Sequence, residues 1–355
     1  MVSSAGRAFW IILILFFTVA ASAPQMTKGE IEKYIAKKLR RNSAVLKLNA
    51  KNIGDQGIKV IADSQLMQKV HTLVIYQGNV SDTGIGYLAE SRNLKNLRVL
   101  FLESNQITDA GAKRISESAV FSQLKILNLY RNFVGDAGAT ALAESKVLGN
   151  LEKLNLNFNR VQDEGAIRLT NSTQLKNLRT LDLAYNLVGK DGLMAFSRFK
   201  MKRQLDTLHQ QNRLDKLGDV IRGDLGVHVL LESKYAVEIV ELDLSESDIT
   251  DNSVIALAHS KKLSGLQSLN LSGNTITDVG AKALATSKNL VGLKKLNLNF
   301  NRIEDGGAFA IAHSKNLANL ESLKLGQNRI GSEGAVALNQ SKTLSNLQHP
   351  IFGFY

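Results

Sequence analysis

One carboxylate recurs along this sequence, two residues before a glycine in most of its occurrences. Nine copies of a common pattern have Asp there, one has Lys190 and one has Ser332. Repeated carboxylates could bind calcium, but serine is a poor calcium ligand, whereas Asp and Ser both accept backbone N–H groups at a helix start. The replacement therefore predicts helix N-caps. The nine aspartates are Asp55, Asp82, Asp109, Asp136, Asp163, Asp224, Asp251, Asp278 and Asp305.

Hydroxyl and imidazole groups give no sign of catalysis. Serine recurs at the helix ends of ten repeats, from Ser64 to Ser341, with no histidine at a fixed distance, so backbone bonding or close packing explains it. The six histidines are scattered, and His259 and His313 fill a slot that other repeats fill with Glu90, Glu117, Glu144 and Asn171, which predicts a solvent-facing position. No HExxH, P-loop or nucleophile-elbow pattern occurs. We therefore predict that the chain is not an enzyme and has no cofactor and no metal site.

These residues belong to a repeat with the pattern LxLxxNxIxDxGAxALAxSxxLxxL. Its first leucine recurs every 27 residues from Leu46 to Leu208 and again from Leu242 to Leu323, with one step of 34 between the two series. The alternating LxL predicts a strand with one buried face, and GAxALA predicts a helix. Eleven repeats of strand, turn and helix follow, which must stack because one unit cannot bury its own apolar face.

An asparagine stands five residues after the first leucine in seven repeats. An amide in a turn beside a row of leucines must pair with adjacent backbone, because leaving it buried and unpaired costs about 1–3 kcal/mol. The slot therefore predicts a structural ladder. Its members are Asn105, Asn132, Asn159, Asn186, Asn274, Asn301 and Asn328.

The repeat resembles the ribonuclease-inhibitor-like class of leucine-rich repeats, particularly the bacterial variety with GAxALA helices. The resemblance covers residues 41 to 347 approximately and is specific for fold, not for function. It implies an α/β solenoid shaped as a horseshoe, with a concave parallel sheet, convex helices and protein recognition as the usual role. Because the chain lacks the cysteines that usually cap such solenoids in animals and plants, the resemblance also suggests a bacterial source.

Residues between and just after the leucines of LxL are expected to face the concave sheet. Aromatic residues and an arginine in these slots, beside acidic ones, have the composition of protein-interface hot spots. The alternative is that some aromatics pack into the turn, since Phe158 and Phe300 share one slot. The predicted partner-binding residues are Tyr76, Phe101, Tyr130, Arg131, Phe158, Tyr185, Asp182, His209 and Asp243.

The N-terminus has the order of a secretory signal peptide: one positive charge, an apolar run from Ala8 to Ala20, and small residues before Pro24. The predicted segment is 1–23, although Pro24 disfavours cleavage after Ala23 and leaves cleavage two or three residues earlier as a competitor. An uncleaved membrane anchor is the other alternative. The run ending at Ala23 has 16 residues, whereas a span needs about 20.

The ends and one irregular repeat need their own elements. Residues 24–45 are predicted to form an N-terminal cap with an amphipathic helix over 27–41, and residues 348–355 a C-terminal cap or an exposed apolar tail. Within the repeats, residues 46–347, an insertion near 213–223 is either an extra helical turn on a binding face or a neutral insertion.

Composition is ordinary for a globular protein, with 44% hydrophobic and 21% charged residues and no cysteine. The mean hydropathy near zero excludes a polytopic membrane protein. The formal charge of +12 becomes +11 once the signal peptide and its one arginine are removed, which favours anionic partners. The densest basic run is Lys37, Lys38, Arg40 and Arg41, which a solvated helix face also explains.

Together these features predict an exported protein–protein interaction scaffold, secreted or periplasmic, monomeric, and binding its partner on the concave face. Neither nucleic acid nor a stable membrane span after signal cleavage is expected. The alternative function is a structural protein that binds anionic envelope polymers through its basic N-terminal region. Retention on cell walls would separate this alternative from partner capture.

Overall fold

The computed structural model of the protein describes residues 25–49, 52–348 and 351. The chain divides into two compact units, the first ending at Phe196 and the second beginning at Ser197. The predicted signal peptide, residues 1–23, and most of the predicted C-terminal cap lie outside the described residues. Both units repeat the same strand, turn and helix, which confirms the predicted α/β solenoid fold.

The first unit contains one parallel sheet of six three-residue strands in chain order. Each strand pairs with the next in the register of the repeat, so that Leu46 lies opposite Leu73 and Leu73 opposite Leu100. Parallel neighbours require a crossover connection, which the helices supply. The strands are β1 Val45–Lys47, β2 Thr72–Val74, β3 Val99–Phe101, β4 Ile126–Asn128, β5 Lys153–Asn155 and β6 Thr180–Asp182.

The second unit contains a parallel sheet of four strands with the same register, in which Leu242, Leu269 and Leu296 lie side by side. These strands are β7 Glu241–Asp243, β8 Ser268–Asn270, β9 Lys295–Asn297 and β10 Ser322–Lys324. Among the described residues the structure thus has ten strands.

The helices run between the strands. Those up to the end of the first unit are α1 Lys28–Arg41, α2 Gly54–Asp63, α3 Asp82–Ala89, α4 Asp109–Glu117, α5 Asp136–Ala143, α6 Asp163–Thr170 and α7 Lys190–Gln210, which continues into the second unit. The remaining ones are α8 Gly223–Glu232, α9 Asp251–His259, α10 Asp278–Thr286, α11 Asp305–Ala312 and α12 Ser332–Asn339. Short 3-10 helices occur at Gln65–Lys69, Ala119–Phe121, Leu214–Asp219, Lys234–Glu238 and Lys261–Leu263. No helix among the described residues has the length and apolar composition needed to cross a membrane.

Each repeat contributes the same apolar side chains to a shared core. In the repeat of β4, Leu127 and Leu129 are fully buried, and Val134, Leu142 and Leu151 are buried beside them. Burying side chains of this kind stabilises the fold by roughly 1.5–3 kcal/mol each. The side chains between the leucines point away from this core and remain partly exposed.

The predicted asparagine ladder is confirmed. Asn132 Oδ1 accepts the N–H of Ile107 at 3.1 Å, and its Nδ2 donates to the carbonyl of Leu102 at 2.8 Å, both in the preceding repeat. The amide therefore satisfies a buried N–H and a buried carbonyl of the preceding repeat. The same pair of bonds is made by Asn105, Asn159, Asn186, Asn274, Asn301 and Asn328.

The recurring aspartate accepts N–H groups at a helix start, as predicted, but it is not the N-cap residue itself, and the helix belongs to the next repeat. Asp82 is the first residue of α3, whose N-cap is Ser81. Asp82 Oδ1 instead accepts the N–H groups of Thr108 and Gly111 at 2.8 and 2.9 Å, at the start of α4 in the next repeat. The positive end of that helix favours an anion. The same two bonds are made by Asp55, Asp109, Asp136, Asp163, Asp251 and Asp305.

The seventh repeat departs from the prediction of eleven strands. A strand is expected at Leu208, but this residue lies in α7. Gln210 occupies the slot of the second leucine, and burying its amide unpaired there would cost about 1–3 kcal/mol, whereas the helix leaves it exposed. In the insertion near 213–223 a 3-10 helix covers Leu214–Asp219 and buries Leu217.

The two ends of the repeats are covered as far as they are described. The capping box of α1 forms, with Thr27 accepting from the N–H of Glu30 and Glu30 accepting from the N–H of Thr27. Its residues Ile31, Ile35 and Leu39 are buried. At the other end Ile351 is buried and its carbonyl accepts the N–H of Leu325 at 3.0 Å.

Candidate functional site

Three aromatic rings from consecutive repeats line up at the sheet of the first unit. The Tyr130 and Phe158 ring centroids lie 5.1 Å apart with the planes at 65°, an edge-to-face contact. Phe158 and Tyr185 are stacked, with centroids 4.1 Å apart and planes at 13°. Such pairs contribute about 0.5–1.5 kcal/mol beyond area burial. We call Tyr130, Phe158 and Tyr185 the aromatic row.

The backbone that carries these rings is fixed by the repeat. Phe158 and Tyr185 have φ angles of 56° and 57°, in the left-handed region that bulky residues seldom adopt. The Phe158 N–H donates to the carbonyl of Ala184 at 2.9 Å, which ties the turn to the next repeat. Ser104 and Gln327 adopt the same φ in other repeats, so the turn does not require an aromatic side chain.

The last ring of the row, that of Tyr185, is exposed to solvent. Tyr185 is 66% exposed, although its ring rests on Phe158. Phe158 and Tyr130 are half-buried. A large exposed aromatic side chain held by its neighbours offers apolar area and a hydroxyl to a ligand at low entropic cost.

Polar groups beside the row are held by hydrogen bonds. Asn128 Nδ2 donates to the Glu103 carboxylate at 2.5 Å, and Asn128 Oδ1 accepts the Tyr130 N–H at 2.9 Å. Asn157 Oδ1 accepts the N–H of Ala184 at 2.6 Å. The polar surroundings of the rings are therefore organised before any ligand arrives.

Five of the predicted partner-binding residues belong to three consecutive repeats. Tyr130 and Arg131 follow β4, Phe158 follows β5, and Asp182 and Tyr185 lie in and after β6. All except Tyr185 are partly buried. The structure thus brings the predicted arginine, one predicted carboxylate and three predicted aromatics to neighbouring repeats.

Two further predicted aromatics lie earlier in the same sheet. Phe101 is the last residue of β3, and Tyr76 follows β2, two repeats before Tyr130. Both side chains are partly buried. They extend the apolar character of this sheet face towards the N-terminal repeats.

His209 does not lie on a sheet face, because the strand expected around it is part of α7. Its ring stacks on Tyr235 with centroids 4.2 Å apart, and its Nε2 lies 3.2 Å from Glu238 Oε2. The hydroxyl of Tyr235 donates to Asp206 at 2.8 Å. His209 therefore belongs to a packed cluster of the second unit, which corrects its predicted position on the concave face.

Asp243 lies in β7 of the second unit, apart from the aromatic row in sequence. Burial opposes its ionisation, but the N–H and hydroxyl of Ser245, at 2.9 and 2.7 Å, hold the pKa of Asp243 below its ordinary value. Its carboxylate is thus used by its own turn. Among the described residues no group of three or more His, Asp or Glu side chains is arranged to hold a metal ion.

Sequence reasoning left Phe300 out of the site. Phe300 occupies the same slot as Phe158 with φ 56°, yet it is 59% exposed and does not pack into the turn. The residues in its slot in the adjacent repeats are Gly273 and Gln327, neither of which supplies a ring. The side chains in neighbouring repeats could have revealed this difference.

The family model described as Leucine Rich repeat matches seven segments of the chain, at residues 93–116, 150–169, 174–197, 239–258, 264–285, 293–312 and 316–338. No curated protein matches the sequence. The segments lie in both units and include strands, turns and helices of the repeat.

The chain is similar to three solved structures at low identity. Internalin C2 from Listeria monocytogenes is 20% identical with a TM-score of 0.27, over 82% of this chain and 89% of that one. A second internalin of that species is 19% identical with a TM-score of 0.24, over 91% and 87%. A plant ice-binding protein is 15% identical with a TM-score of 0.24, over 77% and 68%. These TM-scores are too low to compare functions.

The seven matched segments coincide with the repeat that the strands and helices define. Each has the buried leucines, and the repeats stack through the asparagine and aspartate bonds described above. Whether the repeats are of the GAxALA subtype stays a prediction. The chain is a leucine-rich-repeat protein.

Proposed function

We propose that this chain is an exported scaffold that binds a protein partner through the aromatic row and the sheet face around it. The observation that carries the proposal is the Tyr185 ring, stacked on Phe158 at 4.1 Å and yet 66% exposed. Buried aromatic anchors supply most of the energy in protein interfaces. A ring in this position is ready to be covered by a partner.

The energetics of this face favour binding of a folded or extended protein segment. The backbone of the row is tied to the next repeat, and the rings are tied to one another, so little conformational entropy remains to be lost on binding. Arg131 and Asp182 stand beside the rings in the same repeats. A partner with an apolar anchor opposite Tyr185 and a carboxylate opposite Arg131 would match this arrangement.

Export rests on the sequence of residues 1–23, with its charged start, apolar run and small residues. We therefore place the protein outside the cytoplasm, either secreted or periplasmic, as a monomer. The chain has no cysteine, and its stability in an oxidising compartment does not depend on disulfides because its repeats are joined by packing and hydrogen bonds. Export also argues against nucleic acid as the ordinary partner.

A structural role accounts for the repeated hydroxyls better than catalysis does. Ser91 Oγ donates to the carbonyl of Ala62 in the preceding repeat at 2.6 Å. A hydroxyl used in this way joins two repeats and is not positioned beside a general base. Equivalent bonds are made by Ser118, Ser145, Ser172, Ser287, Ser314 and Ser341.

The basic N-terminal run gives the polymer-binding alternative no specific support. Lys37, Lys38, Arg40 and Arg41 are exposed near the C-terminal end of α1. Cations there complement the helix dipole and stabilise the helix. The Lys38 ammonium also lies 5.3 Å from the Tyr34 ring centroid, a cation–π contact within the helix. Helix stability therefore accounts for the run without a polymer.

The proposal is tested by cross-linked capture with the chain and a double variant, Tyr130→Ala with Phe158→Ala. The variant removes the support of Tyr185 and two rings of the row, so capture of the partner obtained with the parent chain should be lost. Circular dichroism checks that the repeats remain folded. Capture that persists with a folded variant contradicts the proposed site.

A further inference from the structure

The second unit carries a row of lysines that the proposed function does not use. In every repeat of this unit, a lysine directly follows the serine at the helix end, and all five lysines are exposed. We call them the lysine row. Its members are Lys234, Lys261, Lys288, Lys315 and Lys342.

Helix capping alone does not explain the row. A cation just after a helix complements the helix dipole, typically by 0.3–1 kcal/mol. The first unit has the same helices and serines, yet only two of its five residues in this slot are basic. These residues are Gln65, Arg92, Ala119, Lys146 and Thr173. Because three of these five repeats of the first unit fold without a basic residue in the slot, fold stability does not require a lysine in every repeat of the second.

The residue before the serine shows a matching contrast. In the first unit it is acidic in four repeats out of five: Asp63, Glu90, Glu117, Glu144 and Asn171. In the second unit the series is Glu232, His259, Thr286, His313 and Gln340. Glu232, the one acid, forms ion pairs with Arg198 and Lys202. The second unit thus omits the acids that would neutralise the row.

The segments that follow the last four helices are almost free of acids as well. Residues 259–267, 286–294, 313–321 and 340–348 contain one carboxylate, Glu321. It lies 3.6 Å from Lys294 and is therefore paired. Among the described residues, no carboxylate forms an ion pair with Lys261, Lys288, Lys315 or Lys342. By contrast, Lys262 donates to the carbonyls of Leu231 and Ser233, both at 2.8 Å.

The spacing of the row follows from the register of the repeat. Strand partners are 27 residues apart, as in Ser268 and Lys295, and so are the lysines from Lys261 to Lys342. Neighbouring strands lie about 4.8 Å apart and packed helices about 8–10 Å apart. Because the lysines follow the helices, neighbouring ammonium groups of the row are expected to lie about 5–10 Å apart.

We propose that the lysine row binds a linear polyanion bearing phosphate or sulfate groups along its length. A line of cations one residue wide fits a chain better than a flat lipid surface. Single-stranded nucleic acid binders add aromatic rings for base stacking. Within the row Lys234 alone has an aromatic chain neighbour, Tyr235, whereas the other four lysines have serine before and Lys, Asn or Thr after. The site is in a different unit from the aromatic row and takes a different class of ligand.

The test measures binding of long-chain inorganic polyphosphate and of heparin to the full chain as salt is varied. The test variant replaces Lys261, Lys288, Lys315 and Lys342 by Gln. The control replaces four exposed basic residues of the first unit by Gln, namely Arg92, Lys95, Arg98 and Lys146. Both variants lose the same net charge, so a difference between them reports location.

The proposal predicts that the test variant binds at least about tenfold more weakly. Four lost contacts should also reduce the slope of log K against log salt by about three, at roughly 0.7 per contact. The control should stay within about threefold of the parent. If the fourfold variant unfolds, the pair Lys288→Gln with Lys315→Gln should lower the slope by about half as much.

Equal losses in test and control variants would overturn the proposal, because net charge alone would then explain binding. Tighter binding of single-stranded DNA than of polyphosphate and heparin would also overturn it, since the row would then be a nucleic-acid surface. A loss confined to the test variant supports it. The polymer bound more tightly then identifies phosphate or sulfate as the recognised group.

Discussion

Phe158 and Phe300 occupy the same slot of the repeat with the same φ of 56°, but their rings have different surroundings. Phe158 has Tyr130 on one side and Tyr185 on the other, at 5.1 and 4.1 Å. Phe300 stands in the second unit with 59% of its surface exposed. The position within the repeat therefore determines the backbone conformation that carries the ring. The residues in the adjacent repeats determine whether the ring contacts other rings.

The glycine at the third helical position should be intolerant of any side chain. A Cβ on Gly165 would lie 2.6 Å from Asp136 Oδ1 and 2.9 Å from Ala139 Cβ. Gly165→Ala should lower the free energy of unfolding by about 1–3 kcal/mol, because overpacking outweighs the gain in helix propensity of roughly 1 kcal/mol. Urea denaturation measures the change.

The matched control for Gly165 is Gly149, where the nearest atom to an added Cβ is the Gln174 carbonyl oxygen at 3.9 Å. Gly149→Ala should leave stability unchanged or raise it by up to about 1 kcal/mol. Equal destabilisation by both substitutions would contradict the packing described for the helix start.

The asparagine ladder should carry a large share of stability. Asn159 is 8% exposed and joins the Val134 N–H at 2.9 Å to the Leu129 carbonyl at 2.8 Å. Asn159→Ala leaves both groups unpaired and should cost about 2–6 kcal/mol by chemical denaturation, at about 1–3 for each. Exposed Asn150, bonded to the Ser122 carbonyl, is the control, and a loss no larger than that of Asn150→Ala would refute the ladder's energetic role.

Alkaline pH should weaken the cluster around His209. Burial, and then the hydrogen bond to Asp206, raises the pKa of Tyr235 from 10 to about 12. Because the folded-state pKa is the higher one, the neutral phenol's contribution to stability is complete below pH 10 and is lost as pH rises towards 12. The stability advantage of the parent over Tyr235→Phe should therefore shrink over that window.

Denaturation of both chains at a series of pH values checks the Tyr235 prediction. Tyr235→Phe keeps the ring beneath His209 and removes only the hydroxyl, so other titrating groups cancel in the difference. An advantage that stays constant from pH 9 to pH 12 would show that Tyr235 does not ionise differently in the folded protein.

Much of the fold could be predicted from the sequence, because the period of 27 residues forces the leucines and asparagines into register. The hydrogen-bond partners of the Asp82 carboxylate could not be predicted. Its bonds reach residues 26 and 29 positions later, and only the stacking of repeats brings these together. The helix at Leu208 was not predicted either. A single polar residue, Gln210, makes a strand unfavourable there.

The candidate site was predictable in composition but not in arrangement. The slots of Tyr130, Phe158 and Tyr185 follow from the repeat, whereas the stacking of two of the rings depends on which residues adjacent repeats place there. His209 was assigned to this face only because a strand was expected around it. Its actual contact with Tyr235 depends on α7 and on the 3-10 helix Lys234–Glu238.

The central claim is that a partner docks on the aromatic row, and the direct measurement is the affinity of the captured partner for two single variants. Tyr185→Ala removes the exposed ring of the row, and Phe300→Ala removes a comparably exposed ring from the other unit. We predict a loss of about 30-fold or more for Tyr185→Ala, as for an interface hot spot, and less than about threefold for Phe300→Ala. An unchanged affinity for Tyr185→Ala, or an equal loss for both, would contradict the account.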